Sequence, residues 1–205
     1  MVPEITIIDY GVGNLASIEN ILKKIGVSSE ISNNIEKIKN ARKLILPGVG
    51  SFDYGISCLR ELNIEEILNE KVLVNKTPIL GLCLGFQLMT KSSEEGTQKG
   101  LGWFNANCVK FNLDNDEFKV PHMGWNYVTN HRQNILTNSL EKMKYYFVHS
   151  YHIANEQPED IILQSTYGYT FTCGMQLENI YGVQFHPEKS HKFGMQLFKN
   201  FSLLQ

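Results

Sequence analysis

Cys83 lies between Gly81 and Gly85, where an apolar run gives way to an amphipathic segment. A G-x-C-x-G sequence at a strand-to-helix turn is the cysteine form of a nucleophile elbow. The glycines permit the tight turn, and the N-terminus of the following helix favours a thiolate over a thiol. In the same turn, the backbone N–H of Leu84 can hold an oxyanion. The pattern predicts a cysteine nucleophile, and a buried structural cysteine is the alternative.

A histidine and a glutamate near the C-terminal end supply the base that a thiolate nucleophile needs. His186 and Glu188 are two residues apart, and Pro187 between them favours extended backbone at His186. On an extended segment both side chains project from one side, so Glu188 can orient one ring nitrogen while the other faces the sulfur. The alternative is an edge-strand turn with a solvated glutamate. Together with Cys83, the motif predicts a Cys-His-Glu triad.

A glycine-rich segment, LPGVG at residues 46–50, follows an apolar run. Glycines on both sides of Val49 allow backbone conformations that are closed to other residues. A peptide N–H in this loop can therefore turn toward a reacting carbonyl. The loop is predicted to contribute to an oxyanion site beside the nucleophile, with a plain strand-to-helix turn as the alternative.

The remaining residues that commonly bind metals give little reason to expect an ion. The four cysteines are dispersed without a C-x-x-C pair, so neither disulfides nor a metal-ligand spacing is indicated. His149 and His152 are close in sequence, but two histidines fall short of a zinc ligand set. We expect no metal and no cofactor.

Composition places the chain among ordinary globular proteins. It has 205 residues, of which 42% are hydrophobic and 20% charged, with a net charge of −2. This length fits one domain, residues 1–205, and the charge balance gives no basic face for nucleic acid. No uncharged run approaches the length of a membrane span, and the N-terminal residues lack the pattern of a signal peptide. A cytosolic location is therefore expected.

The elements that must position these residues divide the chain into two halves. In the first half, buried strands are predicted at ITIIDY, KLILPG and TPILGLC, and each is followed by an amphipathic helix, the first at about residues 15–25. Continuous apolar strands alternating with helices indicate a parallel sheet covered on both faces, with sites at the carboxyl ends of its strands. The predicted fold class is α/β, a single domain with a mixed, mostly parallel sheet flanked by helices.

The second half contains short strands in close succession, closed by a helix at about residues 190–201. We predict that all of these strands add to the sheet in antiparallel orientation. They are ANCVKF, NYVTN, YYFVHSYHI, DIILQSTYG, FTCGMQLE and IYGVQFHP.

These motifs together resemble the class I glutamine amidotransferase family. GLCLGFQ is similar to its nucleophile elbow, HPE to its histidine and glutamate, and PGVG to its oxyanion strand. IDYGVGNL, VPHMGWN, YYFVHSY and GVQFHPEKS are similar, more narrowly, to the glutaminase subunits of imidazole glycerol phosphate synthases. The resemblance extends from about Ile7 to Phe201, nearly the whole chain.

The resemblance implies an enzyme that hydrolyses L-glutamine to glutamate and ammonia through a thioester. Cys83 is then the nucleophile, His186 the general acid and base, and Glu188 the group that orients the ring. Backbone N–H groups around Val49 and at Leu84 form the oxyanion site.

By the same resemblance, a second set of residues binds the glutamine. Glu95 suits the α-amino group of the substrate on charge. The implied substrate-binding residues are Gly50, Gln87, Glu95, Ser150 and Tyr151.

The resemblance also implies a partner protein. In the family, ammonia passes to a cyclase subunit with a (β/α)8-barrel fold, which makes imidazole glycerol phosphate and AICAR in histidine biosynthesis, and the two subunits form a heterodimer. Five residues match family positions at or near that interface, although without the resemblance Trp125 and Tyr146 also suit a core and Lys189 a solvated surface. They are Asn14, Trp125, Asn126, Tyr146 and Lys189.

Three alternatives remain open at this point. Ala16 stands where the family usually has a basic residue, and KGLGWFNANCVKF and HKFGMQLFKNF resemble paralogues from surface-polysaccharide pathways. Those paralogues supply ammonia to a related barrel that builds an amidino group on a sugar. A non-catalytic binding module with the amidotransferase fold is an alternative of another class. A cysteine protease or general hydrolase is the remaining enzyme alternative.

Overall fold

The computed structural model describes residues 2–113 and 118–204. Within them, eleven strands form one mixed sheet, and six α-helices cover its two faces. The helices are α1 Leu15–Lys24, α2 Ile35–Lys39, α3 Phe52–Glu61, α4 Ile64–Asn69, α5 Leu84–Leu88 and α6 His191–Ser202. The strands are β1 Ile5–Ile8, β2 Ser29–Ser32, β3 Leu44–Leu46, β4 Ile79–Leu82, β5 Asn107–Lys110, β6 His122–Asn130, β7 Lys144–His149, β8 Tyr151–Ala154, β9 Ile161–Tyr167, β10 Tyr169–Leu177 and β11 Ile180–Val183.

The first half of the chain forms the parallel part of the sheet. The strand order is β2-β1-β3-β4-β11-β10-β9-β6-β7, and neighbours from β2 to β11 are parallel. β1, β3 and β4 are fully buried, as their hydrophobic sequences predicted, and Thr6 in β1 is their one polar residue. The predicted fold class, a mixed and mostly parallel sheet flanked by helices, is confirmed.

One strand of the second half departs from the prediction. Ile180–Val183 was expected to add to the sheet in antiparallel orientation, yet it is parallel to β4, with Gly182 opposite Gly81. It is antiparallel only to β10 on its other side. β11 therefore lies at the centre of the sheet, and the segment that follows it leaves at the same edge as the Cys83 turn. The other strands of this half are antiparallel, and β8 bridges β10 and β5.

Alternation along the central strands separates two hydrophobic layers, because successive side chains of a strand point to opposite faces. In β3, Leu44 and Leu46 belong to the layer that contains α3, α4 and α5, whereas Ile45 faces the layer that contains α1 and α6. The sheet is thus covered on both faces, and a tightly packed core fixes the strand ends that carry the site.

Several short elements were not predicted. β2 is a polar strand at the edge of the sheet, and α2 and α4 are only five and six residues long. A π-helical turn at Glu70–Val74 follows α4. Within the described residues, every helix is too short or too polar to cross a membrane.

Candidate active site

The Cys83 turn has the strained geometry of a nucleophile elbow. Cys83 adopts φ of 50° between β4 and α5, a conformation that costs a non-glycine residue about 1–3 kcal/mol. A Cβ atom at Gly85 would lie 1.9 Å from the carbonyl oxygen of Leu46, and one at Gly81 would lie 2.8 Å from the Met89 side chain. The glycines therefore allow α5 to pack against β3 and β4, and this packing fixes the cysteine at the strand end.

His186 and Glu188 are brought together by a 3-10 turn rather than by an extended segment. The turn comprises Pro187–Lys189, so the prediction that both side chains project from one side of a strand is wrong in its geometry. The pair forms nonetheless: Nδ1 of His186 lies 2.7 Å from Oε1 of Glu188. Proline at the first position of the turn starts it without leaving an unpaired N–H.

The backbone of His186 is fixed from both sides. Its N–H donates to the carbonyl of Tyr146 at 2.9 Å, and its carbonyl accepts from Oγ of Ser190 at 2.6 Å. Oγ of Ser190 also accepts the N–H of Tyr146 at 3.0 Å. The ring therefore has a defined position relative to β7, which no sequence motif indicated.

Electrostatics at His186 favour a charged ring. Burial favours the neutral ring, but the neighbouring Cys83 sulfur and Glu188 carboxylate overcome this effect and raise the pKa of His186 to about 10. Nε2 of His186 has no hydrogen-bond partner within the geometric limits among the described residues. A charged imidazole beside a cysteine sulfur is an arrangement that activates a cysteine nucleophile.

The LPGVG loop packs against the elbow. The hydroxyl of Tyr10 donates to the carbonyl of Pro47 at 2.5 Å, and burial raises the pKa of that phenol. A Cβ atom at Gly48 would lie 2.8 Å from the backbone nitrogen of Gly85, so this loop and α5 approach as closely as glycine permits. Gly50 has φ of 112°, and space around it is open. The start of the loop is fixed, while its end keeps a conformation that suits glycine.

A cavity of about 320 Å³ joins the elbow, the histidine and the loop. Its size suits a small molecule. The structure brings all of the predicted catalytic, oxyanion and substrate-binding residues to its walls except Glu188, which lies behind His186. The lining residues are Val49, Gly50, Cys83, Leu84, Gln87, Glu95, Pro121, Val148, His149, Ser150, Tyr151 and His186.

Two of the predicted substrate-binding side chains also make bonds within the protein. Oε2 of Glu95 accepts the N–H of Phe52 at 2.8 Å, which ties the carboxylate to the start of α3. Nε2 of Gln87 donates to the carbonyl of Tyr151 at 3.1 Å and to Oε1 of Gln184 at 2.9 Å. Both N–H groups of the Gln87 amide are thus committed, and any bond from this side chain to a ligand uses its oxygen.

A pair of buried histidines lies behind one wall of the cavity. Nδ1 of His149 lies 2.8 Å from the carbonyl of Tyr151, and Nε2 of His149 lies 3.0 Å from Nδ1 of His122. Nε2 of His122 lies 3.2 Å from the amide nitrogen of Asn126. Burial lowers the pKa of His122 to about 4 and, with the neighbouring histidines, that of His149 to about 3. Both rings are neutral, and the fixed acceptor at Tyr151 sets their tautomers.

The predicted interface residues share one region of the surface. The Trp125 ring lies 6.2 Å from the Tyr146 ring, and Nζ of Lys189 lies 5.5 Å from the Tyr146 ring. Asn126 follows Trp125 in β6, and Asn14 caps α1, which contacts the Pro187–Lys189 turn. None of these contacts tests a role in partner binding, which remains a prediction.

His149 and His152 make other bonds than those of a metal site. His152 pairs with the hydroxyl of Tyr169 at 2.8 Å and with the carbonyl of Ile153. Across residues 2–113 and 118–204, no three His, Cys, Asp or Glu side chains are grouped to hold a metal ion.

The sequence analysis missed Gln184, whose side-chain amide lies within hydrogen-bond distance of the Cys83 sulfur. Gln184 is fully buried, and its Nε2 lies 3.6 Å from Sγ of Cys83. It stands two residues before His186, so the alternation of an extended segment was the pattern that could have found it. His122 and Ser190 were missed because their roles depend on contacts across the sheet.

Comparisons with known proteins agree with this geometry. The family model described as glutamine amidotransferase class-I matches residues 6–204. A Methanococcus maripaludis protein named imidazole glycerol phosphate synthase subunit HisH 2 is 56% identical over 96% of this chain and 98% of its own length. A Pseudomonas aeruginosa protein with the same name is 49% identical over the same shares of the two chains.

Solved structures share the fold at lower identity. The structure of PurLQS from Thermotoga maritima has a TM-score of 0.71 and 18% identity, covering 98% of each chain. This likeness supports the architecture alone. With a family model that spans nearly all of the chain and relatives about half identical to it, the chain belongs to the class-I glutamine amidotransferase family.

Proposed function

We propose that this chain is the glutaminase subunit of an imidazole glycerol phosphate synthase. It hydrolyses L-glutamine to glutamate and ammonia, and a partner subunit uses the ammonia. The observation that carries the proposal is the buried Cys83–His186–Glu188 arrangement at the wall of a ligand-sized cavity. The names of the relatives, which this chain covers over almost their whole length, support the assignment to this synthase.

In the acylation step, Sγ of Cys83 attacks the side-chain carbonyl carbon of glutamine. The N–H of Leu84, at the start of α5, and a backbone N–H of the loop around Val49 stabilise the oxyanion that forms. His186 donates its proton to the departing nitrogen, and ammonia leaves as the thioester forms. The charged ring expected from the raised pKa of His186 suits this step, because the acid is already protonated at neutral pH.

In the deacylation step, His186 accepts a proton from water, which attacks the thioester. Glutamate leaves, and the proton returns the site to its starting state. Glu188 holds Nδ1 throughout, so Nε2 is the atom that exchanges protons with the substrate. One water is consumed and one ammonia is released per turnover.

In this proposal, glutamine is bound by Gly50, Gln87, Glu95, Ser150 and Tyr151, which surround the cavity. Glu95 supplies the negative charge that an α-ammonium group requires. Its tie to the N–H of Phe52 holds the carboxylate in place before substrate arrives.

The ammonia acceptor is a cyclase subunit of (β/α)8-barrel fold, forming a heterodimer. Ammonia free in neutral water is mostly ammonium, which is no nucleophile, so the two active sites must share a protected route. The surface around Trp125, Tyr146 and Lys189 lies beside the His186 turn and suits a docking face that leads to the cavity. A cytosolic location belongs to the proposal, since the four cysteines are free.

The division of labour provides the first test. In the complex, Cys83→Ala should lower glutamine-dependent synthesis by more than about ten-thousand-fold, while synthesis from added ammonium salts persists. A diazo-ketone analogue of glutamine should label Cys83 and leave Cys58, Cys108 and Cys173 unmodified. Loss of the ammonium-driven reaction in a folded complex would refute the assignment of roles.

The partner provides the second test. A pull-down from the source organism should recover the cyclase subunit of histidine biosynthesis. Recovery of a sugar-modifying barrel would instead favour the paralogous function in surface-polysaccharide synthesis. Absence of glutamine hydrolysis with any partner would favour the binding module, and hydrolysis of peptides or esters the general hydrolase.

A further inference from the structure

A buried glutamine amide is directed at the sulfur of the nucleophile. Nε2 of Gln184 lies 3.6 Å from Sγ of Cys83, within the longer range that hydrogen bonds to sulfur take. Gln184 has no exposed surface, and it follows β11, the strand beside β4 that carries Cys83. A buried polar side chain of this kind must be hydrogen-bonded, because an unpaired amide loses the bonds that water would give it.

The direction of the Gln184 amide is fixed by a chain of bonds that ends at a backbone carbonyl. The carbonyl of Tyr151 only accepts, so the Gln87 amide must present its nitrogen to it, at 3.1 Å. The second N–H of the same Gln87 nitrogen meets Gln184 at 2.9 Å, which requires an acceptor there. Gln184 therefore turns its oxygen toward Gln87 and its nitrogen toward Cys83.

We propose that Gln184 is a further catalytic residue, which donates an N–H to Sγ of Cys83 and stabilises the thiolate in addition to its charge partner His186. The inference rests on the proposed function in taking Cys83 as the nucleophile. Gln87 is the positioning residue for this donor, because it holds Gln184 in the only orientation that offers an N–H. Cys83 thus receives both a charge partner and a directed dipole from the short segment that follows β11.

A neutral donor keeps its interaction with the sulfur throughout the reaction, which the imidazolium does not. His186 gives up its proton during the reaction, and its attraction for the sulfur then disappears. The Gln184 amide keeps its dipole throughout, so it stays directed at the sulfur while the ring is neutral and the sulfur is part of the thioester, and it is in place when the thiolate forms again. Hydrogen bonds to charged groups are stronger than neutral ones, which makes this contact effective in a buried site.

A merely structural role predicts a different result. If Gln184 only fills space and satisfies Gln87, replacing it alters stability but leaves the pH dependence of Cys83 reactivity unchanged. If it donates to the thiolate, the pH midpoint of Cys83 alkylation moves upward when the donor is removed. The two roles therefore separate on a measurement that needs no glutamine.

The test uses the full chain and two variants of Gln184. Gln184→Met is close in shape and lacks the donor, whereas Gln184→Glu keeps an acceptor for Gln87 and places a carboxylate oxygen against the sulfur. Alkylation by iodoacetamide is followed at Cys83 by mass spectrometry from pH 5 to pH 10. Gln164→Met, a glutamine in β9 outside the cavity, is the matched control.

In Gln184→Met we expect the alkylation midpoint to rise by about one pH unit, with the rate below it falling about tenfold. Glutaminase kcat in the complex should fall roughly tenfold with KM changed less than about twofold. Gln184→Glu should raise the midpoint at least as far. The other titratable neighbours of Cys83, His186 and Tyr10, are unchanged in both variants.

A wild-type midpoint in either folded variant would overturn the inference, whatever happens to stability. If Gln184→Met does not fold, an unchanged midpoint in Gln184→Glu still overturns the inference, since that variant removes the donor while it preserves size and the bond from Gln87. A wild-type chain that hydrolyses no glutamine refutes the proposed function instead. The alkylation profiles still report on the Gln184 contact in that case, so the two failures are distinguishable.

Discussion

Histidines with opposite acid–base behaviour lie on two sides of one cavity. His186 has a pKa raised to about 10, whereas the pKa of His149 is lowered to about 3 and that of His122 to about 4. Burial favours the neutral ring in all three cases, so burial alone does not explain the difference. What differs is the set of partners: the Glu188 carboxylate and the Cys83 sulfur at His186, against a carbonyl and a neighbouring imidazole at His149.

The comparison shows how one residue type supplies two functions within a few ångströms. In the proposed mechanism the His186 ring transfers protons, and its partners stabilise the positive charge against the effect of burial. The neutral pair moves none near neutral pH, and its fixed tautomers hold the Tyr151 carbonyl and the wall of the cavity in place. A histidine near a cavity is therefore not by itself a candidate base. The groups that accept hydrogen bonds from its ring determine whether the ring is charged or neutral.

Removing the carboxylate partner of His186 should have the largest effect on the difference in pKa between His186 and the neutral histidine pair. In Glu188→Gln, loss of the negative charge lowers the pKa of His186 and weakens its hold on the correct tautomer. Glutaminase kcat should then fall roughly a hundred- to ten-thousand-fold. The measurements are kcat in the complex and the titration of His186 by NMR with labelled imidazole.

His149 and His122 serve as internal controls in the same NMR spectra. Their resonances should not titrate between pH 5.5 and pH 9 in either protein, since their lowered pKa values lie below this window. A Glu188→Gln enzyme with wild-type kcat would show that the carboxylate is dispensable and that the contrast between the histidines has no catalytic meaning.

The second prediction concerns the LPGVG loop, which the His186–Glu188 pair does not control. Because the pair is assembled in the free chain, dependence on a partner must act elsewhere, and the Gly50 end of the LPGVG loop is the flexible candidate. We expect the isolated chain to hydrolyse glutamine slowly and the partner with its ligand to raise kcat about a hundred- to a thousand-fold, the value of one oxyanion donor. Gly50→Ala should reduce this stimulation roughly tenfold, because φ of 112° is strained for alanine.

The Gly50→Ala substitution isolates backbone freedom, since the added methyl group meets no atom within 4 Å. Gly26→Ala is the matched control: it has φ of 77° and equally open space, but lies after α1 and away from the cavity. Steady-state kcat is measured for each chain alone, with the partner, and with partner plus ligand. An isolated wild-type chain that already runs at the full rate would rule out a switch in this loop.

The smallest effect is a pH dependence of stability. On unfolding, the pKa of a neutral buried histidine returns to about 6.5, so the unfolded chain binds the proton first as pH falls. Each of His122 and His149 contributes stability above that pH and should lose about 1.4 kcal/mol per pH unit from pH 6.5 toward the lowered pKa. Removing one of them in His122→Gln should make the acid side of the stability curve shallower by about that slope.

Urea unfolding between pH 7 and pH 4.5 measures this slope. His131→Gln, at an exposed position, controls for the loss of a histidine as such and should leave the slope unchanged. Equal slopes in wild type and His122→Gln would mean that folding does not lower the pKa of His122, which would remove the contrast with His186.

Much of the fold was predictable because its parallel central strands are short and hydrophobic, and because amphipathic helices follow β1 and β3. The amphipathic helix predicted after β4 is instead buried along its whole length. The failures have physical causes. β2 was missed because an edge strand needs no apolar face, and its sequence SEIS carries none. The direction of β11 was wrong because hydrophobicity indicates that a strand is buried but not which strand lies beside it.

The site was predictable where chemistry and spacing coincide, as at Cys83 and His186. Gln184 was not predicted, because its spacing of two residues from His186 places it on the same side of the segment but does not show what it contacts, and its orientation depends on Gln87 from another element. The 3-10 turn at Pro187–Lys189 was likewise missed, since proline suits the start of a turn as well as a strand.

The carbonyl of Tyr151 has a consequence for how this protein tolerates variation. It accepts both from Gln87 and from His149, so one main-chain oxygen joins the amide beside the nucleophile to the neutral histidine pair. Every amino acid carries that oxygen. A library of substitutions at position 151 should therefore alter the recognition of glutamine while leaving this junction intact, and sequence variation there will record only what the side chain does. The role of the Tyr151 carbonyl therefore cannot be detected from the identity of the residue at position 151.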